Sequence, residues 1–167
     1  MKALNEVSKD YIFQLLEQVK DPEIPVLSLV DLGVVRDVQI HPKSVEVIIT
    51  PTYSGCPAMK TMEDDIVSLL SENGIDKLKV TTTLDPAWTT DWMSEEGKKK
   101  LKAYGIAPPE DANPDKAALF AEPPKVECPN CNSRDTKLVS QFGSTACKAL
   151  YKCNDCLEPF DYFKCLK

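Results

Sequence analysis

Six of the seven cysteines of this 167-residue chain lie between Cys128 and Cys165, while Cys56 stands alone in Thr52-Tyr53-Ser54-Gly55-Cys56-Pro57. Within the cluster, Cys128-Pro-Asn-Cys131 and Cys153-Asn-Asp-Cys156 are two CxxC pairs with 21 residues between them. A CxxC turn aims two sulfurs at one point, and two such turns supply four thiolates for tetrahedral zinc or, with the same ligands, iron. Four protein sulfurs leave no open coordination position, so a structural role is expected. Cys147 and Cys165 lie outside both pairs. They are open to being buried small hydrophobes, replacement ligands or a redox pair.

Cys56 belongs to different chemistry. Gly55-Cys56-Pro57 opens a helical pattern, because proline suits the first helical position and Met59, Met62, Ile66 and Leu69 form an apolar face up to Gly74. Cys56 is expected at or near the helix N-cap, where the macrodipole and nearby N–H groups lower a thiol pKa. A packed cysteine before a proline is the plainer alternative. Asp21, Glu23 and Asp31 sit near turns that can approach this loop, giving an oxygen- and sulfur-lined pocket suited to iron rather than magnesium. Loop acids more often simply face water.

Other catalytic arrangements find little support. His41 is the single histidine and sits in a His-Pro turn, so neither a serine triad nor a histidine-carboxylate iron site assembles within this chain. The six glycines form no GxGxxG or phosphate-cradling loop. Trp88 and Trp92 read either as core packing or as a docking surface for a partner.

The elements that position these residues follow from periodicity. Ser8 caps a helix with Ile12, Leu15, Leu16 and Val19 on one face, closing before Asp21-Pro22-Glu23-Ile24-Pro25. Strands are expected over Val34–Ile40 and Val45–Thr50, joined at His41-Pro42-Lys43, and over residues 78–84. The strand, helix and strand from Val45 onward make a crossover whose strands run parallel. Ser94 caps a third helix ending at Tyr104-Gly105. Five prolines between 108 and 124 mark an extended linker. Beyond it, Thr136–Ser140 and Lys148–Lys152 make a hairpin of the zinc-ribbon type, and Asn132 can take the left-handed conformation that a metal knuckle often needs. The expected division is 1–107, linker 108–124 and ribbon 125–167.

The net charge of −6 divides into −8 over residues 1–124 and +2 over 125–167. An acidic body and a ribbon without an arginine stripe argue against nucleic acid as partner. The N-terminus has no signal-like run and no apolar stretch approaches a membrane span, so a soluble, cytoplasmic protein without membrane partners is expected. Reducing cytosol makes the CxxC pairs metal or redox groups rather than disulfides. A ribbon of this size needs its metal to fold.

Asp21-Pro22-Glu23-x-Pro25, Val30-Asp31-Leu32-Gly33 and Thr52-Tyr53-Ser54-Gly55-Cys56-Pro57 resemble the iron-sulfur assembly domain family shared by SUF-system T-type proteins and a eukaryotic cytosolic assembly factor. With Phe142-Gly143-Ser144-Thr145-x-Cys147-Lys148-Ala149-Leu150 and Glu158-Pro159-Phe160-Asp161-Tyr162-Phe163-Lys164-Cys165, the whole chain resembles the D-protein family of the bacterial phenylacetyl-CoA epoxidase system. The resemblance implies an α+β fold: a small mixed-sheet domain with flanking helices, linked to a C-terminal zinc-ribbon β module. It implies Cys56 as the key thiol with the Asp-Pro-Glu loop close by, structural zinc in the ribbon, and a transient iron or iron-sulfur cluster at Cys56. Its implied partners are the oxygenase and reductase components of the epoxidase and the iron-sulfur assembly machinery. The implied role is maturation of a partner's metal centre, with a structural or electron-transfer subunit as the alternative.

Overall fold

The computed structural model describes residues 7–110 and 123–164. Most of the expected linker, residues 111–122, and Cys165 lie outside the described residues. The chain forms two compact units, the first containing residues up to Trp88 with Trp92–Gly97, the second Thr89–Asp91 with Lys98 onward.

In the first unit Ser8 caps α1 (Lys9–Leu16), its hydroxyl accepting the Tyr11 N–H at 3.1 Å, and Ile12, Leu15 and Leu16 are buried. Regular helix stops before the expected Val19. There the Val19 carbonyl accepts from Leu29 N–H at 3.0 Å and Lys20 bridges to Ser28, drawing the chain into the next loop. Strands β1 (Val35–His41) and β2 (Ser44–Ile49) pair antiparallel through the two-residue turn Pro42-Lys43. Val45, Val47 and Ile49 are fully buried, as their alternation requires. Helix α2 (Met59–Glu72) crosses over to β3 (Leu78–Thr82), which pairs parallel to β2, giving the order β1-β2-β3. Met62, Ile66 and Leu70 are its buried face, each such side chain contributing about 1.5–3 kcal/mol on removal from water. Because β2 and β3 are parallel, the Cys56 loop and the segment after β3 leave from the same end of the strands.

Both tryptophans pack. Trp88 is buried with Nε1–H donating to the Leu32 carbonyl at 3.0 Å, and the Arg36 guanidinium lies 3.4 Å from the centroid of the Trp92 ring. Ser94 caps α3 (Glu95–Ala103), accepting the Gly97 N–H at 2.9 Å.

The second unit is a four-stranded sheet in the order β4-β7-β6-β5, from β4 (Ile106–Ala107), β5 (Thr136–Ser140), β6 (Lys148–Cys153) and β7 (Pro159–Phe163). Its core includes Ala107, Val126, Ala149, Tyr151, Phe160 and Tyr162. Tyr151 stacks on Phe160 with centroids 5.9 Å apart and meets Tyr162 edge-on at 5.6 Å. The units divide ahead of the expected position at 107. Residues 106–107 pair with β7, Ala107 is fully buried in the ribbon core, and Lys102 donates to Glu127 at 2.7 Å. The short segment after Lys98 is too polar on its own to advertise this in sequence. No helix among the described residues is long and apolar enough to cross a membrane.

Candidate functional site

The ribbon site is built by two knuckles. In the first, Cys128 N–H donates to the Ser133 carbonyl at 2.8 Å and Asn132 N–H returns to the Cys128 carbonyl at 2.9 Å, with Asn132 left-handed at φ 61° as its residue type suggested. The second leaves β6 at Cys153, whose N–H donates to Glu158, and Leu157 supplies the left-handed turn at φ 65°. Asn154 ties the two together, its N–H and side-chain amide donating to the Asp135 carbonyl and carboxylate at 2.8 and 2.9 Å.

The sulfurs of Cys128, Cys131, Cys153 and Cys156 all lie within 4.8 Å of one another. Cys128 and Cys156 are 3.7 Å apart, Cys131 and Cys153 3.6 Å. A tetrahedral metal with sulfur ligands at about 2.3 Å requires sulfur spacings near 3.8 Å, so the four thiols fit a metal. Bound there, zinc would link the two knuckles through bonds that need no substrate position. Without metal the thiols perturb one another. Backbone N–H donors from Cys156 and Asp155, helped by hydrogen bonds with Cys131 and Cys156, bring Cys153 down to about 7 against its desolvation. At Cys156 a backbone bond from Glu158 lowers the pKa, yet burial and the neighbouring thiols outweigh it and push it up to about 12. Cys147 does not join this group. It is buried with its sulfur 3.0 Å from the Thr145 hydroxyl.

Cys56 lies near the start of α2, within the sequence expectation, but its electrostatic setting differs from the one expected. The N-cap of α2 is Ala58, two residues later, and the Cys56 carbonyl closes a turn onto Met59 N–H at 3.3 Å. Its side chain is buried at 8 % exposure. Burial therefore pushes the thiol up, where a helix N-terminus alone would lower it; hydrogen bonds from the Ala58 backbone and the Tyr53 side chain oppose the shift, and the charges of Glu23 and Asp21 add to it. Removal from water outweighs two donors. The loop can fold this way because Gly55 adopts φ 81°.

Asp21 and Glu23 are thus brought to act on Cys56. Asp21 is held rigidly, its Oδ1 accepting Glu23 and Ile24 N–H at 2.8 and 2.7 Å. Asp31 has a different setting: its carboxylate accepts Ser28 N–H at 3.1 Å and the Ser94 hydroxyl at 3.1 Å. Tyr53 is the contributor that residue counting passed over. Its signal was a phenol three residues before the thiol in a glycine-containing turn.

Comparison with known proteins matches both units. A model for iron-sulfur cluster assembly proteins matches residues 9–82, and one for the PaaD zinc beta ribbon domain matches residues 112–164. The chain is 50% identical over 155 residues to the Escherichia coli (strain K12) protein named as a subunit of a "Putative 1,2-phenylacetyl-CoA epoxidase", covering 93% of this chain and 92% of that one. The chain belongs to the PaaD family. Its N-terminal part is also 34% identical to an Fe-S protein maturation auxiliary factor of Porphyromonas gingivalis, over 56% of this chain and 90% of that protein. A crystal structure of a domain of unknown function, DUF59, from Bacillus anthracis superposes with a TM-score of 0.53 at 29% identity, covering 56% of this chain and 90% of that one. The α+β assembly-type fold with an appended ribbon is therefore that of a PaaD protein, and the sulfur spacing agrees with the zinc ribbon of the family model.

Proposed function

We propose that this protein is an accessory factor that matures the iron or iron-sulfur centre of the oxygenase or reductase of a phenylacetyl-CoA epoxidase system. The observation carrying this reading is the setting of Cys56: a buried thiol with two hydrogen-bond donors and two repelling carboxylates, on a unit matching iron-sulfur assembly proteins. Glu23 and Asp21 oppose a bare thiolate. A cation reverses that sign, because it replaces the thiol proton and is attracted by both carboxylates. The same groups that hold the free thiol protonated thus favour iron as cargo, with sulfur and oxygen donors together. The ribbon sulfurs form a separate, closed site whose role is structural zinc.

The test is Cys56→Ser in cells co-expressing the epoxidase and reductase components. Iron content and activity of the partners should fall while the factor keeps its fold and ribbon metal. Full loading with the serine variant overturns the proposal.

A second reading draws on the name of the Escherichia coli relative, which is called a subunit. In it the chain remains bound to the oxygenase and supports turnover without handling metal. A stoichiometric complex surviving gel filtration, with turnover dependent on the chain but indifferent to Cys56→Ser, favours this reading.

A further inference from the structure

Strand register sets Lys137 of β5 directly opposite Lys152 of β6. Thr136, Tyr151 and Cys153 turn to the core, so alternation places the two lysines together on the other face, with Lys152 in turn opposite Pro159 of β7. Like charges directly opposite one another destabilise a strand pair. Among the described residues neither lysine makes an ion pair, and the acid nearest in register, Asp161 opposite Leu150, is already paired with Lys148. Ion pairs within this unit include those of Lys102 and Arg134 with Glu127, of Arg134 with Glu110, and of Lys148 with Asp161. Beside the pair, Val139 is 55% exposed at a bulge in β5.

Lysines on an edge strand commonly serve only to prevent strand pairing between molecules. That explains Lys137 on β5. It does not explain Lys152, which is on β6, an inner strand already paired on both sides. We infer that the Lys137–Lys152 face of the ribbon is a docking surface for an acidic protein segment. A partner's carboxylates supply the charge that the pair lacks, and Val139 offers apolar contact beside them. The inference stands apart from any role of Cys56, which belongs to the other unit. Because Lys152 immediately precedes Cys153, the knuckles fix the strand that carries it.

Fluorescence anisotropy of a labelled oligo-glutamate peptide with the full chain tests this. Binding is expected at low salt, weakening as salt rises. Replacing both lysines, Lys137→Glu with Lys152→Glu, should reduce affinity about tenfold or more, as expected for loss of two charge contacts. The pair Lys43→Glu with Lys77→Glu in the first unit changes net charge equally and should leave binding intact. Ribbon metal content and circular dichroism verify that the lysine variant is folded. Absence of binding, equal loss in both double variants, or tighter lysine-dependent binding of a single-stranded DNA oligomer would each overturn the inference.

Discussion

Ser94 and Asp31 are joined twice: the Ser94 N–H donates to the Asp31 carbonyl at 2.8 Å, and its hydroxyl donates to Asp31 Oδ1 at 3.1 Å. The other carboxylate oxygen accepts Ser28 N–H, while Ser28 Oγ accepts Asp31 N–H at 2.9 Å, so Asp31 ties the loop before β1 to the cap of α3. Like Asp21, which accepts two backbone N–H groups in its own turn, Asp31 has an architectural task, and its task joins two separate segments.

Asp31→Ala should therefore cost about 1–3 kcal/mol of stability, because buried donors lose their acceptor. Urea unfolding measures the shift. Partner iron content, normalised to folded protein, should remain unchanged; a specific loss of iron transfer with unaltered stability would return Asp31 to the metal pocket.

Gly33 has φ 71°, and a Cβ there would collide with the Trp92 carbonyl oxygen. Gly33→Ala combines a left-handed penalty of about 1–2 kcal/mol with a backbone clash. A fall in thermal midpoint is expected that Trp92→Ala does not rescue, since the obstructing oxygen belongs to the main chain.

The ribbon was legible because its signals are local. Two CxxC turns, a left-handed asparagine and alternating strands specify knuckles and hairpin at short range. Helix caps at Ser8 and Ser94 were equally readable. The Cys56 pKa was not, since the sequence shows proximity to a helix start but not burial, and burial decides the sign. Strand β4 was hidden for a related reason: two residues carry no periodicity, and pairing of Ile106 with Asp161 is a purely tertiary fact. Asp31 and Glu23 look alike as loop acids, yet one caps and the other acts on the thiol.

Cys56 lies above its ordinary pKa of 9.0, so at neutral pH it is a thiol and its alkylation by iodoacetamide should accelerate as pH rises beyond 9.0. Glu23→Gln removes a negative charge that disfavours thiolate and should speed alkylation at a fixed pH below the pKa. Tyr53→Phe removes a donor to sulfur and should slow it. Mass spectrometry of the modified Cys56 peptide follows the rates, and a reversed order for the two variants would contradict the charge arrangement.

Metal removal should separate the two units. Elemental analysis is expected to give about one zinc per chain, and a strong chelator should strip amide protection from β5, β6 and β7 while α1, α2 and β1–β3 keep theirs, because in such small modules metal binding is folding free energy. Ligands bind as thiolates, so each step down in pH sets protons against zinc and weakens it; the ribbon loses metal on acidification, not on alkalinisation. Cys131→Ser or Cys156→Ser should lower zinc affinity by at least about tenfold. Cys147→Ser, whose sulfur lies outside the cluster, should retain the full zinc content, and loss of zinc in that variant would show that the ligand set differs from Cys128, Cys131, Cys153 and Cys156.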